Sequence, residues 1–369
     1  MGEIMECNVI GYAIHTIAGN EETLSLRAKK GIALWRKTWS NCIDQSEIKE
    51  TKKIISETVR RAMKKAKLDN NVKYNVSLVV SSNFFGKTFW EKDCLSFEQS
   101  NEFMIEEIKK EFNINSMIVR DSTACSSGGS AIVLACQLIE DKQSDIVVVL
   151  GYDLETELPK NGMKRIGAIS KDGIKPFSIN RTGTNLADGI GCLVIEDNKL
   201  SRERKSTIYG KIIGYGVEND AYNPTTPEPT GNALYRAIED AICMSKIKRE
   251  NINYVNSHGS GTKLNDVLET QVIKKVFKKT YDRLFINSSK SLIGHTLGAA
   301  GIIEIIITIL QINSGIIHPT ANYDGYDKEC DLNYCVESEV YETINYALSN
   351  SIGFGGLNVS IIVERGGEY

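Results

Sequence analysis

The chain has nine cysteines in 369 residues, yet no Cys-x-x-Cys pair occurs. The count is odd, with positions 7, 42, 94, 125, 136, 192, 243, 330 and 335, and it gives no disulfide framework. Histidine is scarce, at four residues, so zinc-type ligand spacing is missing as well. Cys330 and Cys335 are close, but they have neither a second pair nor a neighbouring histidine. No metal is expected, and reduced thiols point to a cytoplasmic setting. Excess positive charge is also lacking: 44 Lys and Arg against 47 Asp and Glu leave a net charge of −3. That balance argues against a nucleic-acid partner, and the lysine pairs at 29–30 and 52–53 read as solvated surface. The N-terminus "MGEIMECNVIGY" has no basic stretch followed by a long apolar run, so no signal peptide is read there. Glu6 stands where myristoylation would need Ser or Thr. The most apolar run, "IIEIIITILQI" at 302–312, contains Glu304 and is far short of a membrane span. It reads as a buried helix, and no membrane partner is expected.

What is present is ordinary in bulk. Apolar residues make up 41% and charged residues 25%, a soluble globular composition. The length allows one large domain or two ordinary ones with a sizeable core. Short β-branched runs at 76–80, 145–151, 192–196, 253–257, 284–289 and 358–364 predict buried strands. Helices are predicted over 47–67, 97–111, 126–140, 231–245, 266–279 and 298–313. The alternation implies an α/β architecture with helices covering sheets. A polar stretch, "SRERKST" at 201–207, marks a candidate boundary. No tandem repeat exists at the level of identity. Even so, "VRDSTACSSGGSAIVLA" and "NSSKSLIGHTLGAAGIIE" echo each other: in both, a strand ends in a small-residue turn and feeds an apolar helix.

Several side chains that carry chemistry sit in such turns. In "DSTACSSGGS" at 121–130, Cys125 stands where a strand runs into a helix. The positive end of the helix dipole there favours thiolate, and small neighbours leave amides open to an oxyanion. A buried core cysteine is the alternative reading, and it is the one adopted for Cys136. Two of the four histidines, His258 in "VNSHGSGT" and His295 in "SLIGHTLGAAG", follow predicted strands in glycine-rich loops. His15 and His318 read as surface or packing residues. Lys290 lies five residues before His295. In "SIGFGG" at 351–356, Phe354 is either a mobile wall or a core plug, and Gly355 is among the glycines that let backbone approach a ligand.

Taken together, "DSTACSSG", "HGSGTKLNDVLE", "KSLIGHTLGAAGIIE" and "NSIGFGGLN" resemble the elongating β-ketoacyl-acyl carrier protein synthases of the thiolase superfamily. Secondary matches are 176–196 and 219–231, and the resemblance runs from about residue 115 to the end. It implies two similar halves, 1–200 with the nucleophile and 208–369 with the histidines, packed as five α/β/α/β/α layers. It implies that Cys125 takes an acyl group from a phosphopantetheine thioester. His258 and His295 would then assist decarboxylation of a malonyl thioester. Lys290 would organise charge around the histidines beside Glu304, and Ser260 and Thr262 would contact the pantetheine arm. Phe354 with Gly355 would gate the nucleophile, while Asp266 and Glu269 would support the loop from behind. No cofactor is implied beyond the carrier's phosphopantetheine. The implied partners are an acidic acyl carrier protein, met by Lys160, Lys164 and Arg165, and a second subunit, identical or related.

The sequence departs from the family pattern in places. The region before Cys125 is short, "SSNFFGKTF" replaces a glycine-rich turn, Ile352 stands where an aromatic is frequent, and "RTGTNLADGIG" replaces a more acidic stretch. These departures suggest a specialised synthase, of a polyketide, polyene or other secondary pathway. Two alternatives keep the fold: an acyltransferase forming an ester or amide (or a hydrolase), and a partner subunit like the chain-length factors. The latter lack the cysteine that is present here.

Overall fold

Every predicted strand run forms a strand in the computed structural model, which describes residues 6–16, 19–23, 45–68, 73–83, 105–155 and 157–367. In the first half the strands are β1 (Cys7–Thr16), β2 (Val76–Ser81), β3 (Ile118–Asp121), β4 (Ile146–Asp153) and β5 (Gly189–Asp197). In the second they are β6 (Ile208–Asn219), β7 (Ile252–Asn256), β8 (Phe285–Asn287), a short β9–β10 pair (Ile316–Ile317 and Val340–Tyr341), β11 (Tyr346–Ile352) and β12 (Leu357–Gly367). β2 and β4 are buried at every position. That explains their unbroken apolar runs, because parallel strands covered on both faces need no polar alternation.

The helices are α1 (Gln45–Lys65), α2 (Ser127–Glu140), α3 (Glu157–Arg165), α4 (Asn198–Arg204), α5 (Asn232–Ser245), α6 (Lys263–Phe277), α7 (Lys290–Ile293) and α8 (Ala300–Ser314). Of the helix expected over 97–111, residues 105–111 are helical and 97–104 lie outside the described residues. So does most of "SSNFFGKTF", beyond Asn83. The polar stretch 201–207 lies between β5 and β6, and its first residues belong to helix α4. The Asp197 side chain accepts from the Lys199 and Leu200 N–H groups, capping a helix that polarity alone did not reveal.

The strands join in the order β3-β2-β4-β5-β1-β6-β12-β11-β7-β8. Renumbered within its half, each five-strand set reads 3-2-4-5-1, with the same pattern of parallel and antiparallel pairs. Only three residue pairs, Cys7–Ile212, Asn8–Lys211 and Val9–Gly210, link β1 to β6. The echo in the sequence is therefore a repeated topology. Helices α2 and α8 lie between the two half-sheets in the central apolar cluster, while α1 covers the first half-sheet and α5 and α6 cover the second. That is a five-layer α/β/α/β/α stack.

The two central helices start alike. Ala124 (φ 55°) and Leu297 (φ 52°) both adopt the left-handed region, uncommon for residues other than glycine. Each opens a 3-10 turn, Ala124–Ser126 or Leu297–Ala299, that leads into α2 or α8. The helices cross at glycines. A Cβ on Gly128 would lie 2.8 Å from the Gly301 amide nitrogen, and one on Gly301 would lie 2.4 Å from that of Gly129. With its turn, α8 forms the helical stretch Leu297–Ser314, apolar and long enough to cross a membrane, which is longer than the run 302–312 suggested. It is 83% buried within the protein and is a core helix.

Candidate active site

The turn carrying Cys125 is held by its own hydroxyls. Thr123 N–H donates to Ser127 Oγ (2.7 Å), Ser127 Oγ donates to the Ala124 carbonyl (2.6 Å), and Ser126 Oγ donates to the Thr123 carbonyl (2.7 Å). The small residues of "TACSSGG" thus serve packing against α8 as well as access to the sulfur.

Cys125, His258 and His295 line one cavity of about 270 Å³, together with Ser260, Thr262, Phe354 and Gly355. Both imidazoles come from the second half, from segments that follow the paired neighbouring strands β7 and β8. His258 follows β7, and Glu269 on α6 fastens its loop by accepting from the His258 and Gly259 N–H groups, both at 2.9 Å. Asp266 accepts from Gly261 N–H (3.2 Å) and Phe177 N–H (2.8 Å). Burial pushes Asp266 up to about 6 and Glu269 up to about 7. His295 sits between α7 and the 3-10 turn of α8. Its backbone is tied to the first half by the His295 N–H bond to the Asn185 carbonyl (2.8 Å).

Both rings have the same hydrogen-bond polarity. His258 Nδ1 accepts from Ile352 N–H (3.2 Å), with Lys290 Nζ 3.4 Å away, and His295 Nδ1 accepts from Leu297 N–H (3.1 Å). With Nδ1 occupied as an acceptor, the proton of each neutral ring is assigned to Nε2. Burial holds both imidazoles well below the usual histidine range; Lys290 adds to the effect at each, and His295 adds to it at His258. The rings are therefore neutral N–H donors at pH 7. Lys290, fully buried, does not line the cavity; it stands behind His258 in an ion pair with Glu304 at 2.5 Å. Burial raises Glu304, and Lys290 opposes that shift.

The thiol differs from the expected thiolate. Burial pushes Cys125 up to about 11, against the opposing pull of Lys290 and the Phe354 and Cys125 amides. A helix N-terminus favours an anion, but the sulfur is enclosed, and desolvation is the larger effect.

Ser260 and Thr262 share a hydroxyl–hydroxyl contact of 3.0 Å at the cavity wall. Phe354 is half-buried on that wall, so it is no core plug. Of the three basic residues on α3, Lys160 pairs with Glu155 at 3.4 Å, while Lys164 and Arg165 are exposed. Asp153 escaped the sequence reading. Its carboxylate accepts from Ser82 Oγ (2.7 Å), Asn83 N–H (3.0 Å) and Gly298 N–H (2.7 Å), tying the ends of β2 and β4 to the turn of α8. An acidic residue ending a buried strand was the available signal.

A cysteine and two imidazoles thus share one cavity in a fold built of two α/β halves of like topology. Family models described as the N-terminal and C-terminal domains of beta-ketoacyl synthase match residues 44–200 and 209–324. The chain belongs to the β-ketoacyl synthase family. It is 33% identical over 250 residues to the 3-oxoacyl-[acyl-carrier-protein] synthase 2 of Coxiella burnetii and 34% identical to that of Synechocystis. Each match covers 66% of this chain and 60% of the relative, so the chain spans under two thirds of these relatives' length. One chain of the solved complex of a type II PKS acyl-carrier protein with its ketosynthase superposes with a TM-score of 0.88 at 24% identity, covering 98% of this chain and 100% of that one. A beta-ketoacyl synthase from Burkholderia phymatum gives 0.84 at 24%, covering 98% and 99%. The fold is the thiolase-like ketosynthase fold.

Proposed function

We propose that this chain is a ketosynthase that joins an acyl group, held on Cys125, to malonyl-acyl carrier protein with loss of CO2, in fatty acid or polyketide-type synthesis. The observation that carries this reading is that Cys125, His258 and His295 line one cavity, with each imidazole Nδ1 accepting from a backbone N–H group so that Nε2 is left to donate. In the first step the Cys125 sulfur attacks the acyl carbonyl carbon. A carbon–sulfur bond forms, the pantetheine carbon–sulfur bond breaks, and the thiol proton passes to the leaving sulfur. In the second, the malonyl thioester oxygen accepts hydrogen bonds from His258 and His295. The bond to the carboxylate breaks and releases CO2, leaving an enolate that the two donors stabilise. The enolate carbon attacks the acyl-Cys125 carbon, whose oxygen turns to the Phe354 and Cys125 amides, and the thiolate is expelled. A neutral imidazole suits this role because it stabilises oxyanion charge without being titrated by it.

Ser260 and Thr262 hold the pantetheine arm in this reading, and Gly355 frees the loop carrying Phe354. The halves 1–200 and 208–369 act as one unit, and substrates arrive on phosphopantetheine with no further cofactor. The protein works in the cytoplasm, as a homodimer or with a related subunit; one structural neighbour is a ketosynthase/chain length factor pair. The test is product analysis with acyl-loaded and malonyl-loaded carriers. A β-ketoacyl product with one CO2 per turnover supports the reading, whereas an ester or amide product, or release of free acid alone, refutes it.

A further inference from the structure

Beside the mouth of the Cys125 cavity lies a second, open groove of about 730 Å³. Thr226, Pro227, Lys263 and Leu264 line both, so the two are continuous. The groove combines charged residues with large apolar side chains that are open to solvent. Ile179 is 52% exposed, Leu264 60% and Tyr326 67%, and all three line it. Contiguous exposed apolar surface on a soluble protein marks an interaction site.

The groove is also preformed. Its three walls, the segment at 178–181, the first turns of α6 and the loop at 326–329, are stapled from below by Arg181. That side chain is 4% exposed, pairs with Asp327 at 2.5 Å and donates to the Ser178 carbonyl (2.9 Å) and the Lys263 carbonyl (3.3 Å). Rigid walls reduce the ordering cost of docking. Lys263 and Lys328 are exposed on opposite lips, and among the described residues neither is in an ion pair; Glu329 is the one unpaired acid lining the groove.

We propose that this groove, rather than helix α3, seats the body of the acyl carrier protein. An apolar helix face of the carrier would lie on Ile179, Leu264 and Tyr326, with carboxylates reaching Lys263 and Lys328. The inference rests on the function proposed above and deepens it. The geometry favours this occupant because a carrier threading its arm to Cys125 must place its body on the surface that adjoins the mouth. The groove meets that mouth, and a helix laid in an apolar groove is a common recognition mode.

The test compares Tyr326→Asp, Lys328→Glu and the paired change Lys164→Glu/Arg165→Glu. Tyr341→Asp, at a tyrosine 69% exposed on the β9–β10 ribbon, serves as a matched control. Each protein is titrated with a holo acyl carrier protein of a type II system, labelled on its pantetheine thiol. Each is separately acylated with a small acyl-pantetheine thioester that has no carrier body. The expected result is a tenfold or greater loss of carrier affinity for Tyr326→Asp and Lys328→Glu, with small-thioester acylation unchanged and the control unaffected. Normal carrier binding by both groove variants, or a loss confined to the α3 variant, overturns the proposal, as does a wild type that binds no carrier. A change in oligomeric state on Tyr326→Asp would make the groove a self-contact and likewise overturn it. Failure of small-thioester acylation in the wild type would instead count against the function itself.

Discussion

The rings of His258 and His295 lie 5.7 Å apart, centroid to centroid, and meet nearly edge-on at 81°. Each Nδ1 is taken by a backbone N–H group, from Ile352 and Leu297 respectively. The pair is thereby set as two donors rather than a donor and a base. Replacing either ring by alanine is expected to slow malonyl decarboxylation by about 10²–10³-fold, as when an oxyanion donor is removed. Acyl loading of Cys125 should change little. Stopped assays that follow CO2 and acyl-enzyme separately would show it; equal loss of both steps would mean the rings serve the thiol instead.

Both imidazoles are depressed well below the usual histidine range by burial, which favours their neutral form. Cys125 behaves oppositely, with burial moving it up to about 11. Only the thiolate is alkylated, and below that value its fraction rises about tenfold per pH unit. Iodoacetamide inactivation is therefore predicted to climb steadily from pH 7 to 10 without a plateau. A plateau below pH 8 would show that the helix terminus outweighs burial.

Lys290 and Glu304 are each 1% exposed at the side chain. Glu304→Gln leaves a buried ammonium without its counter-ion and is expected to cost about 3–5 kcal/mol in urea unfolding. Replacing both residues with apolar ones of similar size should cost less than that single change. The reverse order would mean that the pair is not coupled.

The crossing of α2 and α8 gives a purely steric prediction. Gly301→Ala puts a Cβ 2.4 Å from the Gly129 nitrogen, a backbone atom that cannot rotate away. Destabilisation of about 1–3 kcal/mol is expected, as for other overpacked cores. At Gly355 a Cβ would meet nothing within 4 Å, so the strain of φ +83° is the expected cost of alanine there, and unfolding curves separate the two cases.

Much of this arrangement was legible in the sequence because full burial leaves unbroken apolar runs, as in β2, β4 and α8. Cys125, His258 and His295 stood out because glycine and serine crowd around each. The state of the thiol did not show, since desolvation depends on how tightly distant loops close over it. Helix α4 was hidden by its polarity, and its Asp197 cap is visible only once the chain turns there. Asp153 acts through bonds to Ser82, Asn83 and Gly298, from segments far apart in the chain. The two carbonyls that Arg181 holds belong to groove walls that only the folded chain brings together. No local pattern announces such long-range ties.

The most direct check is peptide mapping by mass spectrometry after a single turnover. Wild-type protein treated with a small acyl-pantetheine thioester should carry one acyl group on the peptide containing Cys125, and malonyl-loaded carrier should then discharge it as a β-ketoacyl product. An acyl group on another residue, or a Cys125 adduct that malonyl carrier leaves in place, would contradict the account.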